Sequence, residues 1–172
     1  MKFSKNLYSK ILLILTINQF FINTPKIEAA ENIKIVYSIF SRTISVESLK
    51  SFAKNGNSSN KLKRIFNATG TPHDEIQSAL NKNFEIPITI ASKLVYSEIG
   101  NVFLSRLSSI IHPPRANDER TGMLALRSSV VKGLYLGDGK IDLIKFFEGY
   151  PTKTVILNVN ALSRVMNKVE SI

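Results

Sequence analysis

The chain has 172 residues, with 23 Lys and Arg against 13 Asp and Glu, and no cysteine. That composition excludes disulfides, thiol nucleophiles, iron–sulfur clusters and thiolate zinc centres. The net charge of +10 favours acidic surfaces such as lipid headgroups, polysaccharide or an acidic protein. With no aromatic-basic stacking motif and no zinc-finger spacing, it does not point to nucleic acid.

The first residues have the three parts of an export signal: Lys2, Lys5 and Lys10, then an apolar run from Ile11 to Ile22, then small residues up to Ala29 and Ala30. The run is interrupted by Asn18 and Gln19 and is shorter than the ~18 to 20 apolar residues of a membrane span, so cleavage after Ala29 is expected. The segment removed, residues 1–29, holds four Lys and one Glu, which leaves an excess of seven basic residues. Ala30 to Ile172 is then 143 residues, the length of one domain with one hydrophobic core. The location implied is outside the cytoplasm: periplasm, an internal lumen or the medium.

"IKIVYS" from Ile33 alternates apolar and polar residues, and "RTISV" resumes the alternation after a short turn, so Ile33 to Val46 reads as a β-hairpin. The other clear strand is "TVILNV", Thr154 to Val159. Two strands alone are marginal, so this late strand is expected to pair with the hairpin and tie the ends of the domain together. The segment between them has helical periodicity. Ser45 caps a helix with an apolar face of Val46, Leu49, Phe52 and Ala53 that closes at Asn55-Gly56. Leu62, Ile65 and Phe66 make a second short helix; Thr71, Pro72 and Asp74 then read as cap, first turn and capping box of a third, with Ile76, Ala79 and Leu80 inward.

Thr89 to Tyr96 predicts a short helix. Ser97 caps a longer one whose apolar residues Val102, Phe103, Leu107 and Ile110 run to Ile111, before Pro113 and Pro114 stop it. "MLALRSSVVKGLYL", Met123 to Leu136, is the most apolar helix and is expected at the centre of the core. Gly137-Asp138-Gly139 breaks it, with Asp138 placed to cap the next helix, whose inward side would be Ile141, Ile144 and Phe147. A last helix runs from Asn160. The fold class is therefore mainly α: a helical bundle with a small antiparallel sheet made of the hairpin and the late strand.

"RTISVESLKSFAKNG", "LVYSEIGNVFLSRLSSII", "LALRSSVV" and "KIDLIKFFEGYPTKTVILNV" occur in the order and spacing of a cyanobacterial domain of unknown function, which the chain resembles from about residue 33 to residue 161. That domain typically stands in exported proteins in front of an α/β-hydrolase domain. Its segment Tyr-Thr-Pro-Leu-Gly is matched here by Tyr96-Ser97-Glu98-Ile99-Gly100, which keeps the Tyr, a capping hydroxyl and the Gly but lacks the Pro. The resemblance implies an accessory role beside a hydrolase. No hydrolase domain is expected after it in this chain.

The motif that would arrange such an enzyme's reactive groups is missing from the sequence. A nucleophile elbow reads Gly-x-Ser-x-Gly; the only glycines with that separation are Gly133 and Gly137, with Tyr135 between them. The only imidazoles are His73 and His112, each beside a proline, and no spacing joins them to a carboxylate in a triad or a zinc site. "GLYLGDGKI" fails as a phosphate loop: five residues separate Gly133 from Gly139-Lys140 where four are needed, and Ile141 stands in the Ser/Thr position. "DGKID" lacks the remaining ligands of a calcium loop. Asp74-Glu75 and Asp118-Glu119 sit in predicted first turns, where they complement the helix dipole. No cofactor and no metal are expected.

Two features call for binding. Arg106, Arg115, Arg120 and Arg127 are candidates for a cationic patch that grips carboxylate or phosphate, against the plainer reading of a solvated face. Arg127 lies within the most apolar helix and so needs a partner, for which Glu98 is the expectation. The functional expectation is a non-catalytic exported domain that binds an envelope component or a hydrolase supplied by another chain, with peripheral contact to an anionic membrane as a further possibility. The alternatives are a hydrolase with an unrecognised site, or a domain that holds a lipid or apolar ligand among Phe103, Tyr135, Phe146 and Phe147.

Overall fold

A computed structural model describes residues 29–69, 72–116 and 118–170. The expected export signal lies almost wholly outside these residues. Strands β1 (Asn32–Tyr37) and β2 (Phe40–Ser45) form the hairpin, closed through Ser38 at φ 52°. Helices α1 (Val46–Asn55), α2 (Asn60–Thr69) and α3 (His73–Asn81) follow, then β3 (Phe84–Glu85), α4 (Ile88–Val95), α5 (Glu98–Ser108) and β4 (Ile111–His112). The chain continues through α6 (Glu119–Leu136), β5 (Lys140–Ile141), α7 (Leu143–Glu148), β6 (Thr154–Asn158) and α8 (Val159–Glu170). The described residues are mainly α, with a four-stranded sheet in the order β2-β1-β6-β4 and a two-stranded ribbon of β3 and β5.

β6 pairs with β1 as expected, Ile33 opposite Val155, but the two run parallel, so the sheet is mixed rather than antiparallel. The direction follows from the connection. More than a hundred residues, most of them helical, intervene, and such a crossover can return the chain to the end from which β1 started, whereas direction is not encoded in strand alternation. The helix predicted to reach Ile111 ends at Ser108, where Ser108 and Ser109 turn their hydroxyls onto Ser105 O and Arg106 O. This back-bonding loosens the last turn, and Ile111–His112 pairs instead with Leu157 and Ile156 of β6.

Local chemistry sets most helix ends. Ser45 Oγ accepts from Ser48 N, and Gly56 closes α1 at φ 69°; Ser97 Oγ accepts from Gly100 N, and Asp118 Oδ1 from Thr121 N. Two expected caps differ. Pro72 occupies the N-cap position of α3 with no side-chain bond, and Thr71 lies outside the described residues. Asp142, not Asp138, caps α7: its backbone is extended as a cap requires, whereas Asp138 has φ 50° and Lys140–Ile141 is drawn into β5.

α6 is the central helix, as expected. Ala125, Leu126, Ser129, Gly133 and Leu134 are buried, and α4, α5, α7 and β4 pack around it. All four residues expected on the inner face of α1 are buried, and Phe52 meets Phe66 of α2 with ring centroids 5.0 Å apart. In α3, Leu80 is buried and Ile76 half-buried, but Ala79 faces solvent. Asn81 and Gln77 of α3 donate to Ala53 O, which satisfies a carbonyl that the end of α1 leaves open.

Tyr150 is fully buried against Phe146, and its hydroxyl has no hydrogen-bond partner among the described residues. Burial pushes its phenol well above the ordinary value of 10.0. An unpartnered buried hydroxyl costs stability, so Tyr150→Phe is expected to hold or raise the unfolding free energy, by up to about 2 kcal/mol in urea titrations. Because the folded-state value is raised, the neutral phenol's contribution is intact below pH 10.0 and declines as alkali ionises the unfolded chain. Tyr150→Phe should remove that part of the alkaline loss; an unaltered alkaline profile in the variant would show the group to be solvated.

Candidate functional site

Two surfaces carry the chemistry. The first is an open cleft of about 340 Å³ between the end of α5, β4 and the start of α6, lined by Ser105, Ser108, Ser109, His112, Asp118 and Glu119. Hydroxyls, an imidazole and carboxylates thus share one cleft, although they are scattered in sequence. Ser108, Ser109, His112 and Asp118 are each held by bonds to their own neighbourhood. Ser108 Oγ donates to Ser105 O at 2.6 Å and Ser109 Oγ to Arg106 O at 2.7 Å. His112 Nδ1 lies 3.0 Å from Pro113 O, which requires that nitrogen to carry the proton. Asp118 takes the backbone N–H and hydroxyl of Thr121, and these bonds hold its carboxyl below the usual carboxylate range.

The arrangement is not a catalytic relay. A triad needs a carboxylate on one imidazole nitrogen and the nucleophile on the other. Here a backbone carbonyl takes Nδ1, and among the described residues no serine or carboxylate is hydrogen-bonded to His112. His73 is on another part of the fold, edge-on to Phe66 at 5.3 Å and Phe52 at 6.3 Å. Among the described residues no group of histidines and carboxylates could hold a metal ion.

Arg106, Arg115 and Arg120 stand on the three segments that border this cleft: the last turn of α5, the following loop, where Arg115 has φ 64°, and the first turn of α6. All three are exposed or half-exposed, and among the described residues no ion pair engages them. Arg127 is elsewhere, two turns along α6. Its Nε donates to Val95 O at 3.0 Å, its Nη2 bonds Asn101 Oδ1, and its guanidinium lies 5.0 Å from the centre of the Tyr96 ring. Glu98 is therefore not its partner. Val95 ends α4, where open carbonyls and the negative end of the helix dipole attract a cation, while Glu98 in the first turn of α5 is exposed.

That arginine belongs to the second surface, the corner where α4 meets α5. Gly100 is buried there, and a Cβ on it would lie 2.0 Å from Leu94 O, so only glycine permits the approach. Ser97 makes the turn, accepting from Gly100 N and donating to Leu94 O. With Gly100, Leu104 and Ser108 facing inward, the opposite side of α5 is turned out: Ile99 is 79% exposed, Val102 56% and Phe103 64%. Ile90, Leu94 and Tyr96 are exposed alongside. Helical spacing alone places Val102 and Phe103 inward, because they fit an apolar stripe. The signal against it is Gly100 and Ser108, small residues eight apart on one face, which allow close helix packing; a Cβ on Gly122 of α6 would meet Ser108 Cβ at 2.8 Å. Phe103 and Tyr135 are exposed while Phe147 is buried, so the four aromatics suggested for an apolar ligand do not converge on one cavity.

The sequence model of one family, described as alpha/beta hydrolase of unknown function (DUF1400), matches residues 29–158. The chain belongs to this family. No curated protein and no solved structure matches it. The DUF1400 match spans every element from β1 to β6. An α/β-hydrolase is built on a largely parallel sheet with a serine at a strand-to-helix elbow. The described residues of the match form instead a helical bundle with one parallel strand pair, and the sequence has no Gly-x-Ser-x-Gly motif.

Proposed function

We propose that this DUF1400 chain is a non-catalytic accessory domain, exported from the cytoplasm, that acts by binding an envelope component or a hydrolase carried by another chain. The observation that carries the reading is the α5 stripe of Ile99, Val102 and Phe103, more than half exposed beside Leu94 and Tyr96. Contiguous apolar surface of this kind is kept in water where something covers it. Arg106, Arg115 and Arg120 add a cationic margin around the neighbouring cleft that suits carboxylate or phosphate on the partner. Export rests on the Lys-then-apolar pattern of residues 1–29.

The competing reading is hydrolysis in the cleft, favoured by the meeting of Ser105, Ser108, Ser109, His112 and Asp118 and by the family's description. It requires His112 to leave Pro113 O and a serine to leave its helix carbonyl. The two readings separate when the purified chain is treated with a fluorophosphonate and assayed on short acyl esters. No stoichiometric serine labelling and no turnover above buffer is the expected result; one labelled serine per chain would establish the enzyme. The intact mass from the same sample reports whether cleavage follows Ala29.

A further inference from the structure

We propose that the α4–α5 face docks on an anionic lipid bilayer, its aliphatic residues resting among the headgroups and upper acyl chains. This rests on the reading above that the face is a binding surface, and names what it binds. Ile90 and Leu94 of α4 lie on the exposed side of their helix, as do Ile99, Val102 and Phe103 on α5. The two helix ends are pressed together at the corner, where a Cβ on Gly100 would sit 2.0 Å from Leu94 O, so the exposed apolar residues stand on a tightly packed, protruding ridge. A fluid interface suits such a ridge, because lipid conforms to it without a matching pocket.

Charge selects among the possible occupants. Between residues 88 and 109 the charged residues are Lys93, Glu98 and Arg106, all exposed, and Arg127 adds a third cation beneath the exposed ring of Tyr96. The face is thus apolar with a net positive margin, within a chain that keeps an excess of seven basic residues once residues 1–29 are removed. A second copy docked on the same face would set like charge against like charge, whereas anionic headgroups complement it. Lys93 and Arg106 can lay their methylene stems along the apolar ridge and keep their charges at headgroup level, and Tyr96 has the amphipathic ring found at that depth. The stripe from Ile99 to Phe103 is only about 6 Å long, which sets shallow, reversible insertion of roughly 5–10 Å. No helix of the described residues is long and apolar enough to cross a membrane.

The chain has no tryptophan, so Phe103→Trp installs a single reporter at an exposed site; Val102→Trp serves as a second should the first fail to fold. The full chain carrying either reporter is mixed with vesicles of phosphatidylcholine and phosphatidylglycerol at about 7:3. The expected result is a blue shift of emission and quenching by lipids brominated on the acyl chain, both weakened by high salt. Ile99→Asp in the same background should lower partitioning about tenfold. Neither shift nor quenching with lipid in excess would overturn the proposal, as would binding through the apolar N-terminal run that leaves the α5 reporter in water. Quenching of a Phe40→Trp reporter at the hairpin tip without quenching of the α5 reporter would place the contact elsewhere and also overturn it. If the α5 reporter shifts on self-association, or with a lipid-free protein fraction of the envelope, the face binds protein and only the lipid assignment falls. If it stays in water under all these conditions, the binding reading of the face falls as well.

Discussion

Gly100→Ala is expected to destabilise the chain by about 3 kcal/mol, at the upper end of what one added methyl group costs in a packed site. The three atoms such a Cβ would meet first are Leu94 O at 2.0 Å, Leu94 C at 3.0 Å and Val95 Cα at 3.1 Å. All are backbone, so no side-chain rotation relieves the clash and α4 must move away from α5. That movement pulls Val95 O from Arg127 Nε and Leu94 O from Ser97 Oγ. Urea titration of the variant against the parent measures the loss. A drop under about 1 kcal/mol, below the usual cost of overpacking, would show that the corner relaxes easily and is not the rigid platform described here.

Arg127→Ala is expected to cost about 2–3 kcal/mol, since one charged donor group makes two hydrogen bonds, to Val95 O and Asn101 Oδ1, and also stacks on Tyr96. Hydrogen bonds to charged groups contribute about 1.5–3 kcal/mol before the exposure of the site is discounted, and an exposed cation–π contact about 0.5–1. Arg127→Lys should recover less than half of the loss, because an ammonium cannot span the carbonyl and the amide with a planar fork. A double-mutant cycle with Asn101→Ala isolates the pair, with a coupling of about 1 kcal/mol expected. If Arg127→Lys matched the parent, positive charge alone would be the requirement and the fork geometry irrelevant.

These two residues also show how far the sequence could be read. The resemblance draws attention to Tyr96, Ser97 and Gly100 as a unit without saying what the unit does. In the structure they are one corner: the ring under which Arg127 lies, the hydroxyl that caps α5, and the position where the two backbones meet. Arg127 is expected to need a partner because it interrupts an apolar helix, and it has one. That the partner is a helix-end carbonyl and not Glu98 could not be read from spacing, since any acceptor brought near by folding serves equally well. The cleft was less legible still. Its residues run from Ser105 to Glu119 through the end of a helix, a two-residue strand and a loop, and no periodicity links them.

The sequence by itself determined what depends on neighbours three or four positions away. The caps at Ser45 and Ser97, the stop at Gly56, the inner face of α1 and the mainly helical class all follow from short-range bonding and side-chain periodicity, and the missing elbow follows from the spacing of the glycines. Only the tertiary structure decided which side of α5 is covered, in which direction β6 meets β1, and where Arg127 finds its acceptors. Those outcomes turn on contacts between segments far apart in the chain. There the closeness of approach that Gly100, Gly122 and Ser108 allow outweighs the local preference of Val102 and Phe103 to face inward.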